Sequence, residues 1–164
     1  MIDDKDIEIL SILQDGGRTT NAEVARRVGL APSAVLERIR KLEARGVVRG
    51  YETWLDPRAV DLGLLAFVFV RADERLGDCE TSQRLAALPE VQEVHHIAGE
   101  DCYLAKVRVR DTEALGRLLR ERFGGIPSVR ATRTTIVLET IKESLRLPLP
   151  RPASAGHVGN AAIA

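Results

Sequence analysis

Residues 29–50, GLAPSAVLERIRKLEARGVVRG, limit what this chain can fold into more than any other stretch. Pro32 stands where a helix tolerates proline, in the first turn, because its missing N–H would have no intrahelical partner there. Beyond it Val35, Ile39 and Leu42 recur at helical spacing and fall on one face. The other side carries Ser33, Ala34, Glu37, Arg38, Lys41 and Arg45. Gly46 ends the helix as a left-handed C-cap does. The β-prone pair Val47-Val48 follows, then Arg49-Gly50. A helix with a small, basic outer face and a short strand behind it has the shape of a reader helix and its wing.

The preceding residues sharpen this. Thr20 and Glu23 have the spacing of a capping box, with Thr20 as N-cap and Glu23 reaching back. The helix they open, about 21–28, buries Val24, Ala25 and Val28, and Gly29-Leu30-Ala31 is a tight turn into the next. Two helices joined by a three-residue turn containing glycine are a helix-turn-helix signature. In that motif the second helix enters the DNA major groove with its N-terminal residues near the base edges. The alternative is a plain helical hairpin, but the exposed surface is not mixed in sign. Residues 16–50 hold eight basic side chains (Arg18, Arg26, Arg27, Arg38, Arg40, Lys41, Arg45, Arg49) against three acidic ones (Glu23, Glu37, Glu43), a net of +5 in a chain of zero net charge.

The zero net charge argues against a protein that coats nucleic acid unselectively, and the charge is polarised instead. The longest wholly apolar run, Leu64–Val70, is far short of the ~20 residues that span a bilayer, so no membrane partner is expected. The start, MIDDKDIEIL, is acidic and lacks the basic region of a signal peptide. Cys79 and Cys102 match no metal spacing, and no metal or cofactor is expected. A reduced, cytoplasmic setting is the default.

In chain order, a first helix spans about Asp4 to Gln14, with Ile7, Leu10 and Leu13 as its buried stripe and Asp3, Asp4 and Asp6 at its positive end. Tyr51–Leu55 alternates as an extended strand or linker, and Asp56-Pro57 breaks it. Leu64–Val70 is apolar on both faces, so both should be covered. Asp78 caps a weak helix to Leu88, with Leu85 and Leu88 inward. Val91–Ala98 is β-prone, and Gly99-Glu100-Asp101 is a turn. Tyr103–Arg110 alternates as a half-buried strand. Asp111 or Thr112 caps a helix carrying Leu115, Leu118, Leu119 and Phe123, stopped by Gly124-Gly125. Thr132–Glu139 is a last strand. The order strand, helix, strand, strand, helix, strand is the ferredoxin-like βαββαβ arrangement, giving an α+β chain. Helices cover one face of such a sheet, so the apolar first strand predicts a second copy on the other, most simply in a homodimer. The domain reading is 1–50 winged helix-turn-helix, 51–61 linker, 62–145 ferredoxin-like, and 146–164 a disordered tail.

The run GLAPSAVLERIRKLEARGVVRGY, followed by GEDCYLAKV and TRTTIVLE in order and spacing, resembles the Lrp/AsnC family of bacterial and archaeal transcription regulators over about residues 2–145. The resemblance implies a winged helix-turn-helix that binds double-stranded DNA. It also implies a sensing domain that dimerises, often assembles to octamers, and binds an amino acid between dimers.

Within the reader helix Ser33, Arg38 and Lys41 are the first candidates for DNA contact, with Ala34 and Glu37 facing the same groove. Arg38 has the fork to pair with guanine, and Glu37 can accept from cytosine or hold Arg38. A solvated helix face with a weak Glu37–Lys41 pair is the plainer alternative. Thr20, at the start of the motif, is a further candidate for DNA contact, and Arg18, Arg27 and Arg49 are placed on phosphates, which fix register without reading sequence. For the effector, the family turn reads Gly-Asp-aromatic-Asp-Tyr. Here Gly99 and Tyr103 match, Glu100 keeps the charge, Asp101 replaces the aromatic and Cys102 the second aspartate. Thr134 and Thr135 resemble positions beside that pocket. His95 and His96 alternate across a strand and are read as structural. Cys102 is read as a small core residue, with a redox role the rarer possibility. Two other classes remain: a siroheme-decarboxylase-like enzyme, which the scarcity of histidines disfavours, and an architectural DNA-binding protein without effector response.

Overall fold

The computed structural model describes residues 2–75 and 77–150. They form two compact units, one of residues up to Thr53 together with those from Ser144 on, the other of Trp54–Glu143.

The first unit is built on three helices, α1 (Asp4–Asp15), α2 (Asn21–Val28) and α3 (Pro32–Ala44). The reciprocal capping box lies at α1, not at α2. Asp3 Oδ1 accepts from the Asp6 amide at 2.8 Å, and Asp6 Oδ2 accepts from the Asp3 amide at 3.2 Å. At α2 only half of the expected box forms. Thr20 Oγ1 accepts from the Glu23 amide at 3.2 Å, while the Glu23 carboxylate turns to Arg26 (2.7 Å) and Arg27 (2.8 Å). Charged donors outcompete a neutral amide for a carboxylate.

Val35, Ile39 and Leu42 of α3 are buried as their spacing requires, and Val24, Ala25 and Val28 of α2 share a core cluster with Val35 and Ile39. The α1 stripe differs from the expected one. Ile9 is fully buried, with Ile12 and Leu13 packed beside it, while Ile7 and Leu10 are half-exposed. The face turned inward starts at Asp6, which is buried, and continues at Ile9 and Leu13. Each fully buried Ile, Leu or Val here contributes about 1.5–3 kcal/mol of transfer free energy.

Gly29 closes α2 at φ 69° and Gly46 follows α3 at φ 68°, both in the left-handed region that favours glycine. The expected wing strand at Val47-Val48 is not a strand. Both amides donate to the Leu42 carbonyl, at 2.9 and 3.3 Å, so they finish the helix instead of a ladder. Tyr51–Leu55 likewise pairs with no strand, and a 3-10 turn, Pro57–Val60, follows. The tail expected to be disordered falls mostly outside the described residues, but its first part is placed. The Leu147 amide donates to Gln14 Oε1 at 2.7 Å, Gln14 Nε2 donates to the Leu147 carbonyl at 3.2 Å, and Arg146 pairs with Asp15 at 2.5 Å.

The second unit is a four-stranded antiparallel sheet in the order β2-β3-β1-β4, with β1 Leu64–Ala72, β2 Val91–His96, β3 Tyr103–Val109 and β4 Val129–Ile136. β4 begins three residues earlier than the sequence suggested, because pairing with β1 runs from Ala72–Val129 to Ala66–Ile136. Helix α4 spans Glu80–Ala86 with Cys79, not Asp78, at its N-cap, and the Asp78 amide closes the preceding turn on the Arg75 carbonyl. Asp111 caps α5 (Thr112–Arg117), accepting from the Ala114 amide at 2.8 Å, and the helix widens into a π turn over Leu118–Phe123.

Ala66, Val68 and Val70 point to the helices and are fully buried with Leu85, Leu115, Leu118 and Phe123. Phe67 and Phe69 alternate to the opposite face and are half-exposed. On that face the two inner cations of β3 have carboxylate partners. Glu143 pairs with both Lys106 and Arg108 (2.9 Å to the latter), and Glu93 holds Lys106 at 2.9 Å. Among the described residues no helix is long and apolar enough to cross a membrane.

Candidate nucleic-acid interface and effector turn

The reader helix presents a row at four-residue intervals: Ser33, Glu37 and Lys41, all exposed, with Ala34 half-buried beside them. Glu37 and Lys41 pair at 2.6 Å with side chains 67% and 69% exposed. This pairing and the neighbouring Arg38 hold the Glu37 carboxyl below its usual range. The N-terminus of α3 has no side-chain cap, so its backbone N–H groups and the positive end of its dipole face outward. Arg18, Arg27 and Arg49 are exposed. Thr20 serves as the α2 cap, which engages its hydroxyl. Glu23, bridged by Arg26 and then Arg27, is pulled down to about 2 and stays anionic throughout the physiological range.

Arg38 does not share the outward row. Its Nη1 donates to Asp3 Oδ2 at 2.8 Å and to Asp6 Oδ1 at 2.7 Å, and its side chain is 32% exposed. Sequence reasoning missed Asp3 and Asp6 as its partners. Their signal was an aspartate at the head of an apolar helix face.

In the second unit the stretch 97–102 connects β2 to β3, with Gly99 at φ 141°. Two backbone bonds tie it down, Ile97 to the Cys102 carbonyl at 2.9 Å and Cys102 to the Val70 carbonyl at 2.8 Å. Its two acids are engaged. Glu100 meets Arg71 at 3.3 Å, and Asp101 meets Arg133 at 2.9 Å. Cys102 is half-buried, and its thiol donates to the Ala72 carbonyl at 3.3 Å. Tyr103 is buried, and its hydroxyl donates to Glu74, whose other oxygen accepts from Thr81 at 2.5 Å. Burial, then the Glu74 carboxylate, pushes Tyr103 up to about 12. His96 lies against Tyr103 with ring centres 5.2 Å apart and planes tilted by 34°, and His95 pairs with Glu93 at 3.1 Å.

The structure does not bring Thr134 and Thr135 together at this turn. They lie opposite Val68 and Phe67 and, being consecutive in a strand, point to opposite faces. The β4 residue that reaches the turn is Arg133, which sequence reasoning did not select.

The comparisons match this architecture. A family profile described as "Lrp/AsnC ligand binding domain" covers residues 65–147, and one described as "Winged helix-turn-helix DNA-binding" covers residues 2–49. The leucine-responsive regulatory protein of Escherichia coli K12 is 40% identical over 148 residues, 89% of this chain and 90% of that protein. The chain belongs to the Lrp/AsnC family. Its fold matches a feast or famine regulatory protein from M. tuberculosis complexed with L-methionine, with TM-score 0.83 and 39% identity over 92% of this chain and all of that one. A Neisseria meningitidis transcriptional regulator in complex with L-Met aligns with TM-score 0.84 and 34% identity, covering 90% of this chain and 97% of that one. This Lrp/AsnC chain is a transcriptional regulator whose helix-turn-helix unit binds DNA, joined to an α+β ligand-binding domain.

Proposed function

We propose that this Lrp/AsnC regulator reads DNA through Ser33, Ala34, Glu37 and Lys41, holds phosphates with Arg18, Arg27 and Arg49, and changes its binding when an amino acid occupies the turn Gly99–Tyr103. The exposed row on α3, whose helix start is left without a side-chain cap, supports the reading surface. The solved relatives holding methionine support an amino-acid effector.

At the turn, Glu100 or Asp101 receives the α-ammonium group and the Arg71 and Arg133 guanidinium groups flank the carboxylate. Of the two β4 threonines, Thr135 is exposed on the Phe67 face and is the available one. Cys102 and Tyr103 form the inner wall. The open face with Phe67 and Phe69 packs on a second copy, and homodimers assemble further, to octamers. The site of action is the cytoplasm, where the DNA lies. An effector shifts this system only as far as it binds one assembly or helix spacing better than another.

The test is a gel shift on the chain's own upstream region, at two salt concentrations, with and without the twenty amino acids. Selective binding that responds to one of them is the expected result. Selective binding without any response removes the effector reading and leaves an orphan regulator. Unselective binding favours the architectural alternative.

A further inference from the structure

The first turn of α1 has no part in DNA contact as proposed above, yet it carries two carboxylates that converge on one arginine of the reader helix. Asp3 and Asp6 use one oxygen each to cap each other's backbone, and turn the remaining oxygen of each to the same nitrogen, Nη1 of Arg38. Both hydrogens of that nitrogen are thereby assigned. The Asp6 side chain is only 10% exposed, next to fully buried Ile9. A second bond comes from the same turn, Lys5 Nζ to the Val28 carbonyl at 2.9 Å, at the end of α2 where the chain bends into α3. The apolar contacts among Ile9, Val24, Val28, Val35 and Ile39 hold the helices together but are non-directional. Charge-assisted bonds between fixed backbone elements supply direction.

We infer that Arg38 is a positioning residue: clamped by Asp3 and Asp6, it sets the angle at which α3 is presented to the groove, and the reading is done by its neighbours. This rests on α3 being the reader helix. It moves Arg38 from the base-contact set to the frame behind it. A free Arg38 on the DNA surface would gain from losing two nearby carboxylates. A clamped Arg38 loses its geometry when they go. The two cases predict opposite signs for the same substitution.

The experiment measures affinity of the full chain for a duplex of its own upstream region and for an unrelated duplex, each over a range of salt. Asp6→Asn removes a negative charge near the DNA surface and keeps the shape. It is expected to lower selective affinity about tenfold while leaving the salt slope unchanged, so that the ratio of selective to unselective binding falls. Arg38→Ala is expected to do the same, the double variant to be no worse than either single one, and Arg38→Lys to restore part of the selectivity. Tighter binding by Asp6→Asn, or a salt slope reduced by about one in Arg38→Ala, overturns the inference and returns Arg38 to direct contact. Should Asp6→Asn lose its helical circular dichroism, Asp3→Asn, at a half-exposed position, is read in its place. If the unmodified chain shows no selective binding, it is the DNA reading that fails, and the two failures are distinct.

Discussion

The Arg133 guanidinium lies 3.9 Å from the centre of the Phe69 ring, and its Nη2 holds Asp101 at 2.9 Å. One side chain thus joins the aromatic centre of the open sheet face to the connection that carries the proposed effector site. A cation over an exposed ring is worth ~0.5–1 kcal/mol. Arg133→Ala is expected to lower stability in urea by about that much, and to speed amide hydrogen exchange at residues 100–102. Exchange there at the parent rate would mean the turn is held by its backbone bonds alone.

Thr81 is fully buried, and its hydroxyl lies between Glu74 and the Ser128 hydroxyl, 2.6 Å from the latter. Thr81→Val keeps the shape and strips the hydrogen bonds from both partners. A cost of ~1–3 kcal/mol is expected, as for buried polar groups left unpaired, with Thr81→Ser close to the parent. Urea midpoints at constant m value decide it.

A Cβ at Gly124 would stand 2.6 Å from the Arg120 carbonyl oxygen, and one at Gly125 would stand 2.7 Å from that of Glu121. Within a helix, alanine usually stabilises relative to glycine by ~0.5–1 kcal/mol. Here both Gly124→Ala and Gly125→Ala are expected to destabilise, because the obstructing atoms are backbone and cannot swing away. A thermal midpoint at or above the parent's for either variant would falsify this.

Tyr103 ionises late, at about 12, because burial and the Glu74 carboxylate disfavour the phenolate. A raised folded-state value means the contribution is complete below the ordinary tyrosine value of ~10 and is lost as pH climbs from there toward 12. Alkaline unfolding should therefore be coupled to Tyr103. Tyr103→Phe should show a flatter stability profile above pH ~10, followed by circular dichroism.

Lys41 is exposed and pairs with exposed Glu37. Lys41→Ala should leave stability unchanged and, as a base reader, weaken binding to the chain's own upstream region more than to an unrelated duplex. An equal loss on all sequences, with a salt slope lower by about one, would make Lys41 a phosphate contact instead.

The helix-turn-helix was legible because two local codes agree there, a 3.6-residue apolar period and a glycine at each forced turn. Leu85 and Leu115 were legible from the same helical period, and β3 from its two-residue alternation. The α1 stripe was not. Apolar residues at 7, 9, 10, 12 and 13 allow two overlapping faces, and the one chosen by the fold begins with an aspartate whose partner is a distant arginine. The wing failed as a strand because β propensity at Val47-Val48 has no neighbouring strand to satisfy it. Thr134 and Thr135 came from family likeness, and a two-residue period sends them apart, whereas Arg133 reaches the turn through length that no pattern announces.

The clip between Gln14 and Leu147 joins residues 133 apart in sequence, while the Asp3–Arg38 contact spans 35. During synthesis from the amino end these form at different times. The three helices of the head can pack on one another once α3 is made. The sheet must wait for β4, since β1 pairs with it as well as with β3. The clip on α1 comes after both. A ribosome-bound chain therefore carries a reading head before it carries a complete sheet, and the closing of Leu147 onto Gln14 marks a polypeptide in which everything in between has already been made.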